Sequence, residues 1–141
     1  MTQVHQERSS SWRVRGAPKA LAATRGLVTV HAVVIFAQPV LAGGYLSGDY
    51  DMLRLHSEVA NVVTYVGSGQ LLCAIVLWAL GGVRWPAVAS VVLLIGETIQ
   101  YFAGLAGTLN LHIPLGVALV TGAVVTVGAI WKPSARQVRS R

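Results

Sequence analysis

Charged residues are scarce in this sequence. They make up 11% of the 141 residues, whereas 54% of the residues are hydrophobic. In soluble domains about a quarter of the residues are charged, so this composition excludes an ordinary soluble protein and indicates an integral membrane protein. The single cysteine, Cys73, excludes an intrachain disulfide and a thiolate cluster. Its place within an apolar run is typical of a small buried side chain.

Regular alternation of polar and apolar residues is missing as well. The apolar runs are long and unbroken, which excludes the short alternating strands of a transmembrane barrel. Because about 20 apolar residues cross a bilayer as a helix, the runs predict four spans, at residues 26–46, 53–80, 85–107 and 109–131. The expected fold class is all-α: an integral membrane four-helix bundle, up-down-up-down. No internal repeat is evident beyond a loose likeness among the apolar runs.

Basic residues are concentrated outside the spans. Residues 1–24 predict a basic, partly disordered tail, residues 25–131 the bundle, and residues 132–141 a second basic tail. Of the 11 lysines and arginines, only Arg54 lies away from the tails, Arg25 and the turn at Arg84. The positive-inside rule therefore predicts a multi-pass protein of the plasma (inner) membrane with both termini cytoplasmic. The same placement makes the lipid bilayer, and not nucleic acid, the partner of a chain with net charge +6.

Two histidines are expected at one depth near the outer face. Counted along a helix from Trp78, His56 lies roughly 33 Å away, and His112 lies roughly 28 Å from Trp131. Paired imidazoles on the second and fourth spans could ligate one haem iron from opposite sides, so we predict His56 and His112 as ligands of a haem iron. The alternative is that both are interfacial histidines that snorkel or cap helices.

Residues of the third span complete this candidate pocket. Gly104 is expected at the depth of His112 and Gln100 one turn below it, so both are predicted to contact the cofactor. Glu97 falls near the bilayer centre, where a carboxyl group is costly. It either joins helices by hydrogen bonding to Gln38, Asn61 or Thr64, or serves in a proton relay or a contact with a haem propionate. The depth of Glu97 favours the relay over the propionate contact.

The first two spans carry further polar positions. His31, Gln38, Ala42 and Tyr45 share one helical stripe, which is expected to face the bundle. His31 is expected to make a structural hydrogen bond with Gln38 or with another helix. A second polar seam is expected to join helices across the bundle; it consists of Asn61, Thr64 and Ser68.

Three short motifs together resemble one four-helix half of the haem A synthase family. They are Leu53-Arg-Leu-His56, the run from Gln100 to Gly107, and Leu111-His112-Ile-Pro-Leu-Gly116. Related single-bundle membrane families of unknown function look similar. The resemblance implies b-type haem on His56 and His112 near the outer face. Leu53 and Ser57 stand where that family has an acidic residue and an arginine, and the second bundle has no counterpart, so synthase activity does not follow.

These observations define the functional alternatives. The first is a haem-binding, cytochrome b-like protein with an electron-transfer or haem-handling role, working with a membrane redox or haem-pathway protein. The second is a cofactor-free membrane scaffold or accessory protein, and the third is a small proton-linked transporter using Glu97. No catalytic residues are assigned, and the sequence leaves a homodimer open. No zinc-site, phosphate-loop or Ser/His/Asp spacing is present.

Overall fold

The computed structural model describes the backbone of residues 2–132 and the side chains of residues 16–132. This part of the chain forms four helices: α1 (Thr2–Leu46), α2 (Asp51–Ala79), α3 (Trp85–Leu105) and α4 (Leu109–Trp131). Each contains a segment long and apolar enough to cross a membrane. The predicted all-α bundle is confirmed, and the chain is a multi-pass membrane protein.

The helices form a closed ring in which each packs against its neighbours in sequence and α1 also packs against α4. Short turns reverse the chain, so consecutive helices are antiparallel. We call the end that holds His56 and His112 the histidine end. The end at which α2 stops and α3 begins, near Trp78 and Trp85, we call the tryptophan end.

The first helix differs from the expectation for residues 1–24. Helical backbone begins at Thr2 where we expected a partly disordered tail, and the apolar helical segment runs from Gly16 to Leu46 instead of starting at residue 26. Alanine-rich sequence after Gly16 favours helix, and a Cβ at Gly16 would lie 3.1 Å from Leu80 Cδ1. Tertiary packing with the end of α2 therefore extends α1 on the N-terminal side of Arg25. The tail predicted for residues 132–141 lies outside the described residues, except Lys132.

Small and aliphatic side chains form the core near the middle of the bundle. Ile35, Val63 and Ala123 pack together there. Large apolar residues cover the outside, among them Val33, Leu72, Val92 and Val125, each more than 60% exposed. Such an apolar exterior packs favourably against lipid acyl chains, so this surface is suited to a lipid bilayer.

The predicted polar stripe and polar seam have different outcomes. His31, Gln38, Ala42 and Tyr45 are all buried or partly buried, so the stripe faces the bundle as expected. The seam on α2 does not join helices of the bundle, because its three side chains are exposed and bond to carbonyls four residues earlier in α2. Such back-bonding satisfies a short polar side chain within its own helix. The seam consists of Asn61, Thr64 and Ser68.

Candidate functional site

The structure brings His56 and His112 together at the histidine end. Their ring centroids are 6.1 Å apart and the ring planes meet at 60°. Both side chains are partly buried between α2 and α4, and each lies within the first turns of its helix. The expectation that these two histidines share one depth on the second and fourth spans therefore agrees with their positions.

A backbone carbonyl fixes each imidazole. His56 Nδ1 lies 3.1 Å from the carbonyl oxygen of Gln38, and His112 Nδ1 lies 3.0 Å from that of Gln100. A carbonyl oxygen can only accept, so Nδ1 carries the proton in both rings and donates it. The Nε2 atom of each neutral ring then keeps its lone pair. This arrangement, with a second-shell acceptor on one ring nitrogen, is the one that metal-ligating histidines adopt.

The side chains of the same two glutamines lie against the helix that carries the histidine. With its amide nitrogen toward His56, Gln38 accepts a hydrogen bond of 3.1 Å from the Ala60 amide, four residues after His56. The nitrogen is then 2.9 Å from His56 Nδ1 and 3.3 Å from His56 Nε2. Because an Nδ1 that donates to the Gln38 carbonyl cannot also accept, the amide N–H has its acceptors in Nε2 and the His56 carbonyl, also at 3.3 Å. Gln100 lies beside Gly116, four residues after His112, where a Cβ would be 2.9 Å from Gln100 Nε2.

These contacts are alike in the two hairpins, a likeness more specific than the loose one among the apolar runs. The α1–α2 hairpin and the α3–α4 hairpin each hold a glutamine that binds a histidine through its carbonyl and packs against the residue four positions later. The sequence signal is short: Leu53-Arg-Leu-His56 and Leu109-Asn-Leu-His112. The separation from glutamine to histidine is 18 residues in the first hairpin and 12 in the second. This difference of six residues hides the likeness from a fixed-period comparison.

The imidazole of His112 lies where a side chain at Gly104 would be. Gly104 is exposed, and a Cβ there would lie 2.9 Å from His112 Cε1 and 3.1 Å from Nδ1. We expected Gly104 to let a flat ligand approach the backbone, but in the structure the imidazole of His112 occupies that space. A side chain at this position would displace the ring from the Gln100 carbonyl.

A second polar cluster lies deeper in the bundle and joins three helices. His31 of α1 has Nδ1 2.9 Å from Gln70 Oε1 and Nε2 3.1 Å from Glu97 Oε1. Gln70 donates to Ser90 Oγ at 2.8 Å, and Ser90 donates to the Pro86 carbonyl at 2.7 Å. We call these side chains the buried polar chain; they are His31, Gln70, Ser90 and Glu97. All four are at most 7% exposed.

This cluster changes the assignments for Glu97 and His31. Glu97 contacts His31, and not Gln38, Asn61 or Thr64 as we expected. His31 bonds to another helix, the second of the two expected options, through Gln70. The depth estimate missed the contact because it counted His31 from Arg25. Counted from Gly16, which packs on the end of α2, His31 lies about 22 Å along α1, close to the 18 Å of Glu97 from Trp85. Gln70 and Ser90 were not predicted as site residues. Their polarity within apolar runs is a signal in the sequence, but their partners depend on helix rotation.

Among the side chains described, no group of three or more His, Cys, Asp or Glu residues is placed to hold a metal ion. A site with two histidines as its only protein ligands suits a group that fills the remaining positions itself, as a porphyrin does. No protein-family model, curated protein or solved structure matches this chain. The functional conclusion consequently depends on the geometry of the chain itself.

Proposed function

We propose that this membrane protein binds a b-type haem between α2 and α4, with His56 and His112 as axial ligands, and serves electron transfer or haem handling. The observation that carries the proposal is the pairing of the two rings. Two imidazoles on one metal, with metal–nitrogen bonds of about 2.0 Å, have ring centres roughly 6 Å apart. The centroids of His56 and His112 are 6.1 Å apart.

The hydrogen bonds of both rings support the same proposal. Because each Nδ1 donates to a carbonyl, each Nε2 has the lone pair that iron requires. The Gln38 amide lies 3.3 Å from His56 Nε2, so it has to turn away when iron binds there. Bound haem supplies a one-electron carrier, and the chain supplies its ligands, their orientation and an apolar surrounding.

The proposal includes an orientation in the plasma (inner) membrane. Arg25, Arg84 and Lys132 lie toward the tryptophan end, whereas Arg54 lies near the histidine end. By the positive-inside rule the tryptophan end and both termini are cytoplasmic. The haem site then lies near the outer face, within reach of a redox or haem-pathway protein on that side.

The absorption spectrum tests haem binding. Protein purified from a haem-competent host should show a Soret band and, after reduction, a sharp α-band. His56→Ala and His112→Ala should each lose the six-coordinate spectrum, because one axial ligand is missing. His31→Gln is the matched control: it removes a buried histidine of another cluster and should keep both bands. A colourless wild type after haem supplementation would refute the proposal.

A specific observation favours a second candidate function. The Gln38 amide already partners the His56 ring, and two imidazoles at 6.1 Å and 60° also make an edge-to-face contact between helices. This geometry suits a cofactor-free membrane scaffold in which the histidines only hold α2 to α4. In that case His56→Ala and His112→Ala lower the unfolding temperature, and no variant or wild type binds haem.

A further inference from the structure

The hydrogen bonds of the buried polar chain determine how many protons it holds. Ser90 Oγ donates to the Pro86 carbonyl, so it accepts from Gln70 Nε2. Gln70 Oε1 therefore faces His31 and can only accept, which requires a proton on His31 Nδ1. With Nδ1 protonated, two states are open to Nε2 of His31. It carries either a lone pair, in which case Glu97 must be protonated, or a proton, in which case Glu97 must be ionised.

Either state places one proton between His31 Nε2 and Glu97 Oε1, 3.1 Å apart. The pair carries no net charge with this proton and one negative charge without it. Among the described residues, neither Glu97 oxygen has a hydrogen-bond partner, and the 3.1 Å approach of His31 Nε2 is a close contact of the two groups. The negative form therefore lacks the bonds that stabilise a buried carboxylate. The unprotonated pair consequently needs a positive charge nearby.

Within residues 16–132, whose side chains the structure describes, the other ionisable groups around the pair do not supply that charge. On α1, Arg25 is six residues from His31, about 9 Å along the helix, and bonds to Ile130. On α2 the neighbour of the pair is Gly67; Tyr65 is 75% exposed, and Cys73 is six residues further along the helix. On α3, Tyr101 faces an outer groove. The span of α4 facing the cluster, from Leu119 to Thr126, has no ionisable residue.

The histidine site is the remaining place for a positive charge. Glu97 is three residues from Gln100, and His31 is seven residues from Gln38. The pair therefore lies about 5 to 10 Å along the helices from the carbonyls that hold the two imidazoles. At such separations in a medium of low dielectric constant, one unit of charge changes the proton affinity of a buried group.

We propose that the His31–Glu97 pair is a redox-linked proton site, which takes up one proton when the haem between His56 and His112 gains one electron. This inference rests on the haem binding proposed above. A one-electron reductant, dithionite in the test, reduces iron(III) to iron(II), and water supplies the proton that His31 Nε2 and Glu97 Oε1 then share. Oxidation returns the electron to an acceptor and the proton to water. The summed charge of the haem and the His31–Glu97 pair is the same before and after reduction.

The midpoint potential of the haem, measured against pH, tests this coupling. When one proton accompanies one electron, a tenfold change in proton concentration shifts the potential by 59 mV. Wild type should approach this slope over part of the pH range in which it is folded. Glu97→Gln keeps the size of the side chain without a titrating proton and should lose more than half of the slope. Asp51→Asn, which removes an exposed carboxylate near the same site, should keep the slope.

Infrared difference spectra of wild type provide a second readout that does not depend on a variant folding. Reduction should produce a carboxyl C=O band that moves in D₂O when Glu97 gains the proton, or imidazolium bands with shifted Glu97 carboxylate bands when His31 gains it. Bound haem with equal slopes in wild type and Glu97→Gln, or neither of these signals on reduction, overturns this inference alone. A wild type that binds no haem overturns the proposed function and this inference together.

Discussion

Gly67 lies against both members of the buried pair. A Cβ at this position would be 2.9 Å from His31 Cε1 and 3.1 Å from Glu97 Oε2. Those two side chains are held by the packing of three helices and by the bond from His31 to Gln70, so they have little freedom to move away. The absence of a side chain at residue 67 is thus a condition for the 3.1 Å contact between His31 and Glu97.

Gly67→Ala should destabilise the bundle. Overpacking a core costs about 1 to 3 kcal/mol, and the better helix propensity of alanine offsets up to about 1 kcal/mol of this. We expect a net loss of roughly 1 to 2 kcal/mol, measured by reversible unfolding in detergent micelles. Gly69→Ala is the control, because its Cβ would meet only Leu27 Cδ1 at 3.8 Å. If both variants have the same stability, the pair does not restrict residue 67.

The residue types at these sites could be predicted from sequence better than their partners. His56, His112 and Gln100 were selected because depth along a helix can be counted in residues, and the structure places them together. The contact between His31 and Glu97 was missed because the depth of His31 was counted from Arg25 and not from Gly16, where α1 packs on the end of α2. Gln38 was expected to be a partner of His31 or Glu97, and its contact with His56 was missed because that bond uses a backbone carbonyl. Side-chain spacing cannot reveal such an acceptor.

At the scale of helices, α1 and α4 are joined by a contact at the C-terminal end of α4. Arg25 Nε donates to the Ile130 carbonyl at 3.0 Å, and its guanidinium carbon lies 5.1 Å from the centre of the Trp131 ring. Trp131 Nε1 in turn donates to Thr29 Oγ1 at 3.2 Å. The last carbonyls of a helix have no partner within the helix, so Arg25 satisfies one of them and closes the ring of helices.

Arg25→Ala should weaken the packing of α1 on α4. It removes a charged hydrogen bond and a cation–π contact from a partly buried position, for which we expect a loss of about 1 to 2 kcal/mol in the same unfolding assay. Arg54→Ala is the matched control, since its ion pair with Glu58 is more than half exposed and joins residues of one helix. Such a pair contributes about 0.5 kcal/mol or less. An equal loss in both variants would show that the contact with α4 adds nothing.

For the whole molecule, the two hairpins explain why one site forms from two halves. Each hairpin brings a glutamine carbonyl to a histidine near the start of its second helix, and closing the ring of four helices brings the two imidazoles together edge to face. The number and order of the helices followed from the apolar runs, because length and hydropathy are properties of one segment. The extension of α1 over residues 16–25 did not follow from the apolar runs, because these residues are held as helix by contacts with α2 and α4.

The orientation of this bundle in the membrane can be tested by cysteine labelling. In a Cys73→Ala background, Ser47→Cys places a thiol in the turn at the histidine end, and Val83→Cys places one in the turn at the tryptophan end. Because the basic residues favour the cytoplasm, a membrane-impermeant maleimide should modify residue 47 in intact cells and residue 83 only after permeabilisation. The reverse pattern would put the histidine end in the cytoplasm, and a redox partner of His56 and His112 would then have to be sought on that side.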